Sequence, residues 1–285
     1  LTLGDLALFY QAFSRGQGLV RTLFGSLGQM IKNSLFLSVL FEYLDLRSSV
    51  SDPESPVRTP EKLEEGIRVK NVTFRYPGSE RPVFRNLSLF IPAGKSVAIV
   101  GENGSGKTTL VKLLCRFYDP ESGGIEFDGI DIKKFSIREL LRLITIMFQV
   151  PLPYHATVRE TIAFGDLDAS ASDEGIETAA RNAGADEFIA RLPQTYETLL
   201  GKAHTNGVEL SAGEWQRLAL ARAYYRKAPI VLLDEPTSFL DSWAEAHWFR
   251  LFRNLARKRT AVVITHRFTI AMRADVIFVM NDGQI

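Results

Sequence analysis

The sequence predicts an α/β domain built on a largely parallel central sheet, with an apolar N-terminal segment in front of it. Three observations predict this. Short, almost wholly apolar runs, "SVAIV" (96–100), "IVLLDE" (230–235), "TAVVIT" (260–265) and "VIFVM" (276–280), alternate with helix-like stretches. Strands buried on both faces of a parallel sheet have that composition. The glycine-rich "GENGSGKT" (101–108) joins one such run to a helix. Finally, 285 residues with 46% apolar and 24% charged side chains are enough for one large domain or two smaller ones with a sizeable core.

Composition also excludes some roles. A formal net charge of +1 gives no bulk attraction for a polyanion, so nucleic acid is not an expected partner. The one cysteine, Cys115 in "LVKLLCRFY", cannot build a disulfide framework and reads as core packing. The chain opens on Leu without a charged leader and ends on "VIFVMNDGQI", a strand and turn, so it reads as a fragment cut at both ends.

Residues 1–46 are apolar but interrupted. "TLFGSLGQMIKNSLFLSVLF" (22–41) carries only Lys32, yet no window offers about eighteen uncharged apolar residues. Hydropathy alone leaves two alternatives open, a membrane segment or a long amphipathic helix packed on protein. Residues 47–62 bring Pro53, Pro56 and Pro60 with serines and charges, a linker composition. From Leu63 the pattern changes, and "IRVKNVTFRY" (67–76) and "LSLFI" (87–91) alternate as strands do.

The stretch Gly101, Glu102, Asn103, Gly104, Ser105, Gly106, Lys107, Thr108 matches G-x-x-x-x-G-K-[ST] between a strand and a helix, and Thr109 continues the helix. Glycines let backbone N–H groups converge on phosphate oxygens, and the helix N-terminus adds partial positive charge. Lys107 is expected to reach the β- and γ-phosphates of a nucleotide and Thr108 to offer its hydroxyl to Mg²⁺. The strand at 230–234 delivers Asp234 to its carboxyl end as a second Mg²⁺ group, and Glu235 follows as the candidate general base. Together these predict a P-loop nucleoside triphosphatase. In "VELSAGEWQRLALARA" (208–223), Ser211 and Glu214 have the spacing of a capping box at a second helix start.

"LSAGEWQRLALARA" before the Asp-Glu strand, "SFLD" (238–241) after it, Gln149 in "MFQVP" and His266 in "VVITHR" fall in one order. In that order the sequence resembles the nucleotide-binding domain of ATP-binding cassette (ABC) transporters, over residues 63–285. The resemblance implies the ABC ATPase fold, with an antiparallel β-subdomain and an α-helical subdomain near 151–210. It implies that Tyr76 stacks on adenine, that Gln149 touches Mg²⁺ and water, and that His266 contacts the γ-phosphate. Asp241 would communicate across a dimer. Ser211 and the Gly213 amide would bind ATP held by a second cassette, identical or related, so that two ATP molecules join two chains. Ala212 and Glu214 depart from the usual Leu-Ser-Gly-Gly-Gln signature, and the methyl of Ala212 stands where backbone approaches phosphate.

Residues 1–46 resemble the last membrane helix and cytoplasmic extension of ABC exporters, in which membrane and nucleotide domains share one chain. The implied function is ATP-driven export, with the transmembrane domain as partner and the cassette on the cytoplasmic face of the cell membrane. Two other classes share the motifs. A soluble ABC ATPase of the DNA-repair type would insert a long coiled coil between Gln149 and the signature, and no heptad run is present there. A regulatory cassette would bind ATP without hydrolysis, against which Glu235 and His266 both argue.

Overall fold

The computed structural model describes residues 2–46, 48–167, 172–201, 207–237 and 242–285, with the side chains of 242–247 left aside. The chain divides into two compact units, Leu1–Ser49 and Val50–Ile285.

The first unit is one helix, α1 (Leu3–Leu44), of 42 residues. At about 1.5 Å per residue it is roughly 63 Å long. It opens on a capping box in which the Thr2 backbone N–H and hydroxyl both donate to Asp5 Oδ2, at 2.9 and 2.8 Å. None of its described residues is buried. Leu8, Phe9 and Tyr10 are consecutive and all exposed, and three such positions span roughly 200° of a helix. A helix that is apolar on several faces requires cover from other protein or from lipid. No helix among the described residues is long and apolar enough to cross a membrane.

The second unit holds β1 (Gly66–Phe74), β2 (Phe84–Pro92), β3 (Ser96–Val100), α2 (Lys107–Leu114), β4 (Ser122–Phe127), β5 (Ile130–Asp131), α3 (Ile137–Arg142) and β6 (Ile144–Met147). These are followed by α4 (Val158–Ala163), α5 (Asp173–Asn182), α6 (Asp186–Ile189), α7 (Ala212–Arg226) and β7 (Ile230–Asp234). Last come α8 (Ser242–Ala256), β8 (Thr260–Ile264), α9 (Phe268–Ala271) and β9 (Val276–Val279). Among the described residues the strands form an antiparallel sheet, β2-β1-β4-β5, and a sheet ordered β6-β7-β8-β3-β9 whose pairs are all parallel. This is the α/β class expected from sequence.

Strand β7 shows why its sequence is uninterrupted by polar residues. Val231 and Leu233 face a cluster made with α4, α5, α7 and α8, while Ile230 and Leu232 face a second cluster with α2 and the antiparallel sheet. Both faces are dry, so period-two alternation disappears. Cys115 lies in the second cluster, and burial pushes its thiol up to about 12, so it is inert packing.

The compact unit begins at Val50, ahead of the boundary expected at Leu63. Val50 is buried. The buried Arg116 guanidinium donates from Nη2 to the Ser51 carbonyl (2.9 Å) and from Nη1 to the Phe135 carbonyl (3.2 Å). Asp52 Oδ1 accepts from the Ile137 N–H at 2.6 Å, and the Val57 N–H donates to the Lys134 carbonyl. The proline-rich stretch has no regular structure of its own, but its Ser51 carbonyl satisfies one donor of a buried cation. A chain starting at Leu63 should therefore unfold at lower urea than one starting at Val50, by about 1–3 kcal/mol for the buried donor left unpaired. Equal midpoints would show that residues 50–62 add nothing to the cassette.

Candidate functional site

The parallel strands all deliver their carboxyl ends to one edge. In register across the sheet, Asp234 stands opposite Ile264 and Ile264 opposite Ile99, while Met147 stands opposite Leu233. One or two residues further along each strand come the 101–106 loop, Glu235, His266 and Gln149. Open α/β sheets place ligands at this edge. A cavity of about 860 Å³ is lined there by Tyr76, Val83, Gly101, Glu102, Asn103, Gly104, Gly106, Lys107, Thr108, Thr109, Gln149, Glu235 and His266.

Two of the loop's three glycines, Gly101 and Gly106, leave no room for a side chain. A Cβ on Gly106 would lie 2.5 Å from the Phe84 ring, and Gly106 has φ 108°. A Cβ on Gly101 would lie 2.1 Å from the Met280 carbonyl oxygen. Helix α2 opens on Gly106 with no side-chain cap, leaving its first N–H groups for an external acceptor. The buried Lys107 ammonium donates to the carbonyls of Gly101 (2.8 Å) and Glu102 (2.7 Å), which hold it at the cavity. Ser105 is buried beneath the loop and does not line the cavity.

Asp234 is 3% exposed, and its Oδ1 has no hydrogen-bond partner among the described residues. Desolvation pushes its pKa up, opposed by the Thr108 hydroxyl and the Lys107 ammonium. A buried carboxylate oxygen without a donor, beside a threonine hydroxyl, fits a hard divalent cation such as Mg²⁺. No group of three or more His, Cys, Asp or Glu able to hold a metal occurs among the described residues. Glu235 adopts φ 46°, and its N–H donates to the Ile264 carbonyl. Gln149 Nε2 donates to Glu235 Oε2 at 3.0 Å, and His266 Nδ1 lies 3.5 Å from the same oxygen.

Tyr76 is half-buried, and its hydroxyl is 3.0 Å from Thr109 Oγ1. Phe74 and Tyr118 meet it edge-on, and Lys112 Nζ stands 5.3 Å from its ring centre. Val83 was not anticipated, because it lies in no motif; only the fold brings it to the cavity. Ser211 and Gly213 are not among the lining residues. Ser211 caps α7, and its N–H and hydroxyl both donate to Glu214 Oε2 at 2.8 Å, the capping box read from spacing. Ala212 is exposed, and a Cβ on Gly213 would meet nothing within 4 Å. Asp241 lies outside the described residues.

Residues 84–238 match the family model described as ABC transporter, more than half of the chain. The chain belongs to the ABC transporter family. The chain is 37% identical, over all of its length, to an ATP-dependent lipid A-core flippase of Photobacterium profundum. It is 41% identical over 86% of its length to the protein of the same name from Aromatoleum aromaticum. It spans 48% and 40% of those two proteins. A solved bacterial Atm1-family ABC exporter with ATP bound superposes with a TM-score of 0.79 at 35% identity, covering 90% of this chain and 44% of that one. The cassette is thus a nucleotide-binding ATPase domain with flippase and exporter relatives.

Two measurements follow from this geometry. If the Tyr76 ring face binds adenine, Tyr76→Ala should weaken ATP binding severalfold while Tyr76→Phe changes it little, since stacking is worth roughly 0.5–1.5 kcal/mol. Equal losses in fluorescent-nucleotide titrations would assign the contact to the hydroxyl. Ser211→Ala should lower the stability of the nucleotide-free chain by about 0.5–2 kcal/mol, and Ser211→Asp should restore most of it. Urea unfolding reads both, and an unchanged midpoint in Ser211→Ala would show that the cap adds no stability.

Proposed function

We propose that this chain is the cytoplasmic ATPase part of an ABC exporter, with α1 the end of its membrane domain, residues 47–62 the connection, packed on the cassette from Val50 onward, and 63–285 the cassette. The observation that carries hydrolysis is the clasp of Glu235 by Gln149 and His266 beside the Lys107 loop. Flippase relatives that align through α1 as well as the cassette support the exporter type. So do the exposed apolar residues of α1, which call for lipid or further helices as cover. The relatives carry different exporter names yet share this cassette, as expected of a motor whose cargo is chosen elsewhere in the chain.

In this reading Tyr76 holds adenine, while the loop Gly101, Glu102, Asn103, Gly104, Ser105 and Gly106, with Lys107, Thr108 and Thr109, holds the phosphates. Thr108, Asp234 and Gln149 hold Mg²⁺, which when bound offsets charge on the β- and γ-phosphates. Glu235 Oε2 takes the proton of a water whose oxygen bonds to the γ-phosphorus as the bond to the β–γ bridging oxygen breaks, giving ADP and phosphate. Gln149 and His266 keep that oxygen aimed, and His266 contacts the γ-phosphate. Ser211 and the Gly213 N–H act on ATP held by a second cassette, identical or related, and Asp241 communicates between the two. ATP-driven closure and hydrolysis then move a substrate across the cell membrane.

Lys107→Ala and Glu235→Gln should fail differently. The first should weaken ATP binding through loss of the cation. The second should bind normally, lose turnover and accumulate an ATP-bound dimer in size-exclusion chromatography. Wild-type turnover in Glu235→Gln would remove Glu235 as the base.

Ala212→Gly tests the signature. Alanine favours the helix by about 0.8–1 kcal/mol over glycine, but its methyl crowds an approaching phosphate. The variant should match or fall slightly below wild type in nucleotide-free stability. It should strengthen Mg-ATP-driven dimerisation on a Glu235→Gln background, measured by analytical ultracentrifugation. Weaker dimerisation would mean that Ala212 is fitted to its site.

A further inference from the structure

The turn after β9 presses on the phosphate loop from about 180 residues away along the chain, and none of the motifs includes it. β9 runs parallel to β3 with Val279 opposite Val100. The Met280 N–H then donates to the Val100 carbonyl at 2.7 Å, which carries the pairing past the end of the strand. Residues 281–284 form a tight reversal in which Asn281 and Gln284 exchange backbone hydrogen bonds of 2.9 and 3.0 Å. Asp282 and Gly283 between them have φ 43° and 77°, the type I′ geometry that Asp-Gly favours.

At the tip of this turn the Gly283 N–H donates to the Ser105 carbonyl at 3.1 Å. A Cβ on Gly283 would lie 2.0 Å from the Val83 carbonyl oxygen, and Val83 lines the cavity. The Val83 side chain in turn stands 3.3 Å from where a Cβ on Gly106 would be. Three remote segments therefore close on one point without room for a methyl group. The contact has a stereochemical consequence. In a trans peptide the carbonyl and the following N–H point in opposite directions. Holding the Ser105 carbonyl turns the Gly106 N–H away from the turn, and Gly106 lines the cavity.

We infer that Gly283 is a positioning residue for phosphate binding: its N–H and its missing side chain hold the 101–106 loop in the shape that receives the phosphates. The inference rests on the reading that this loop binds the nucleotide's phosphates. The Arg81–Asp282 ion pair (2.8 Å) joins the same segments, but both side chains are about four-fifths exposed. It therefore adds little.

The test measures equilibrium binding of Mg-ATP and of adenosine to the 285-residue chain. Gly283→Ala should keep its far-UV spectrum and lose Mg-ATP affinity by about tenfold or more, the scale of a misaligned hydrogen bond to a charged group. Its adenosine affinity should stay within about twofold, and Asp282→Asn should hold both affinities within about twofold. Equal loss of ATP and adenosine affinity, or no loss of either, would overturn the inference if Lys107→Ala still weakens ATP selectively. If Lys107→Ala also leaves ATP affinity intact, the phosphate-loop reading falls with it. A second measurement needs no variant. Because coupling is reciprocal, a non-hydrolysable ATP analogue should slow hydrogen exchange of the Met280 and Gly283 amides in the wild-type chain. Unchanged exchange there would overturn the inference even if Gly283→Ala fails to fold.

Discussion

Close approach of neighbouring backbone and side chain to the 101–106 loop is the constraint on which the rest of the cassette depends. A β-carbon on Gly101 would fall 2.1 Å from the Met280 oxygen, and one on Gly106 2.5 Å from the Phe84 ring. The strand order brings these contacts together. β9 must lie beside β3 to bring Met280 to Gly101, and the antiparallel sheet must come near α2 to bring Phe84 to Gly106.

Charge is arranged around the loop with the same economy of space. Lys107 is nearly buried yet has loop carbonyls as partners, whereas Asp234 is buried with one oxygen unpartnered among the described residues. Glu235 sits one residue beyond the strand in a left-handed conformation that non-glycine residues seldom adopt. The left-handed Glu235 and the unpartnered oxygen of Asp234 are thus neighbours where chemistry is proposed, and the apolar strands behind the site supply the rigidity that tolerates them.

Two features of the chain point outward. Helix α7 starts with a capping box that satisfies Ser211 within the chain, while Gly213 beside it faces open space. Helix α1 exposes large apolar residues along its whole length. The proposed function gives each a counterpart, a second cassette for the first and a membrane domain for the second. The Glu214 carboxylate accepts both Ser211 donors, so a phosphate brought to Ser211 would compete with it for them.

The α/β class, the phosphate loop, the Asp-Glu strand end and the Ser211 cap were legible in the sequence because each is local. A strand followed by glycines and a helix, an apolar run ending in acids, or a serine three residues before a glutamate fixes its own geometry over a few residues. The grip of Gln149 and His266 on one oxygen of Glu235, the entry of Val83 into the cavity, the seat of Gly283 on Val83 and the anchoring of Ser51 by Arg116 were not legible. Each joins segments far apart in the chain. A proline-rich stretch looks the same by composition whether its carbonyls face water or a buried guanidinium, and an Asp-Gly turn looks the same wherever it lands. Local propensity writes the turn and the strand ends, but only the order of strands in the sheet decides which of them meet.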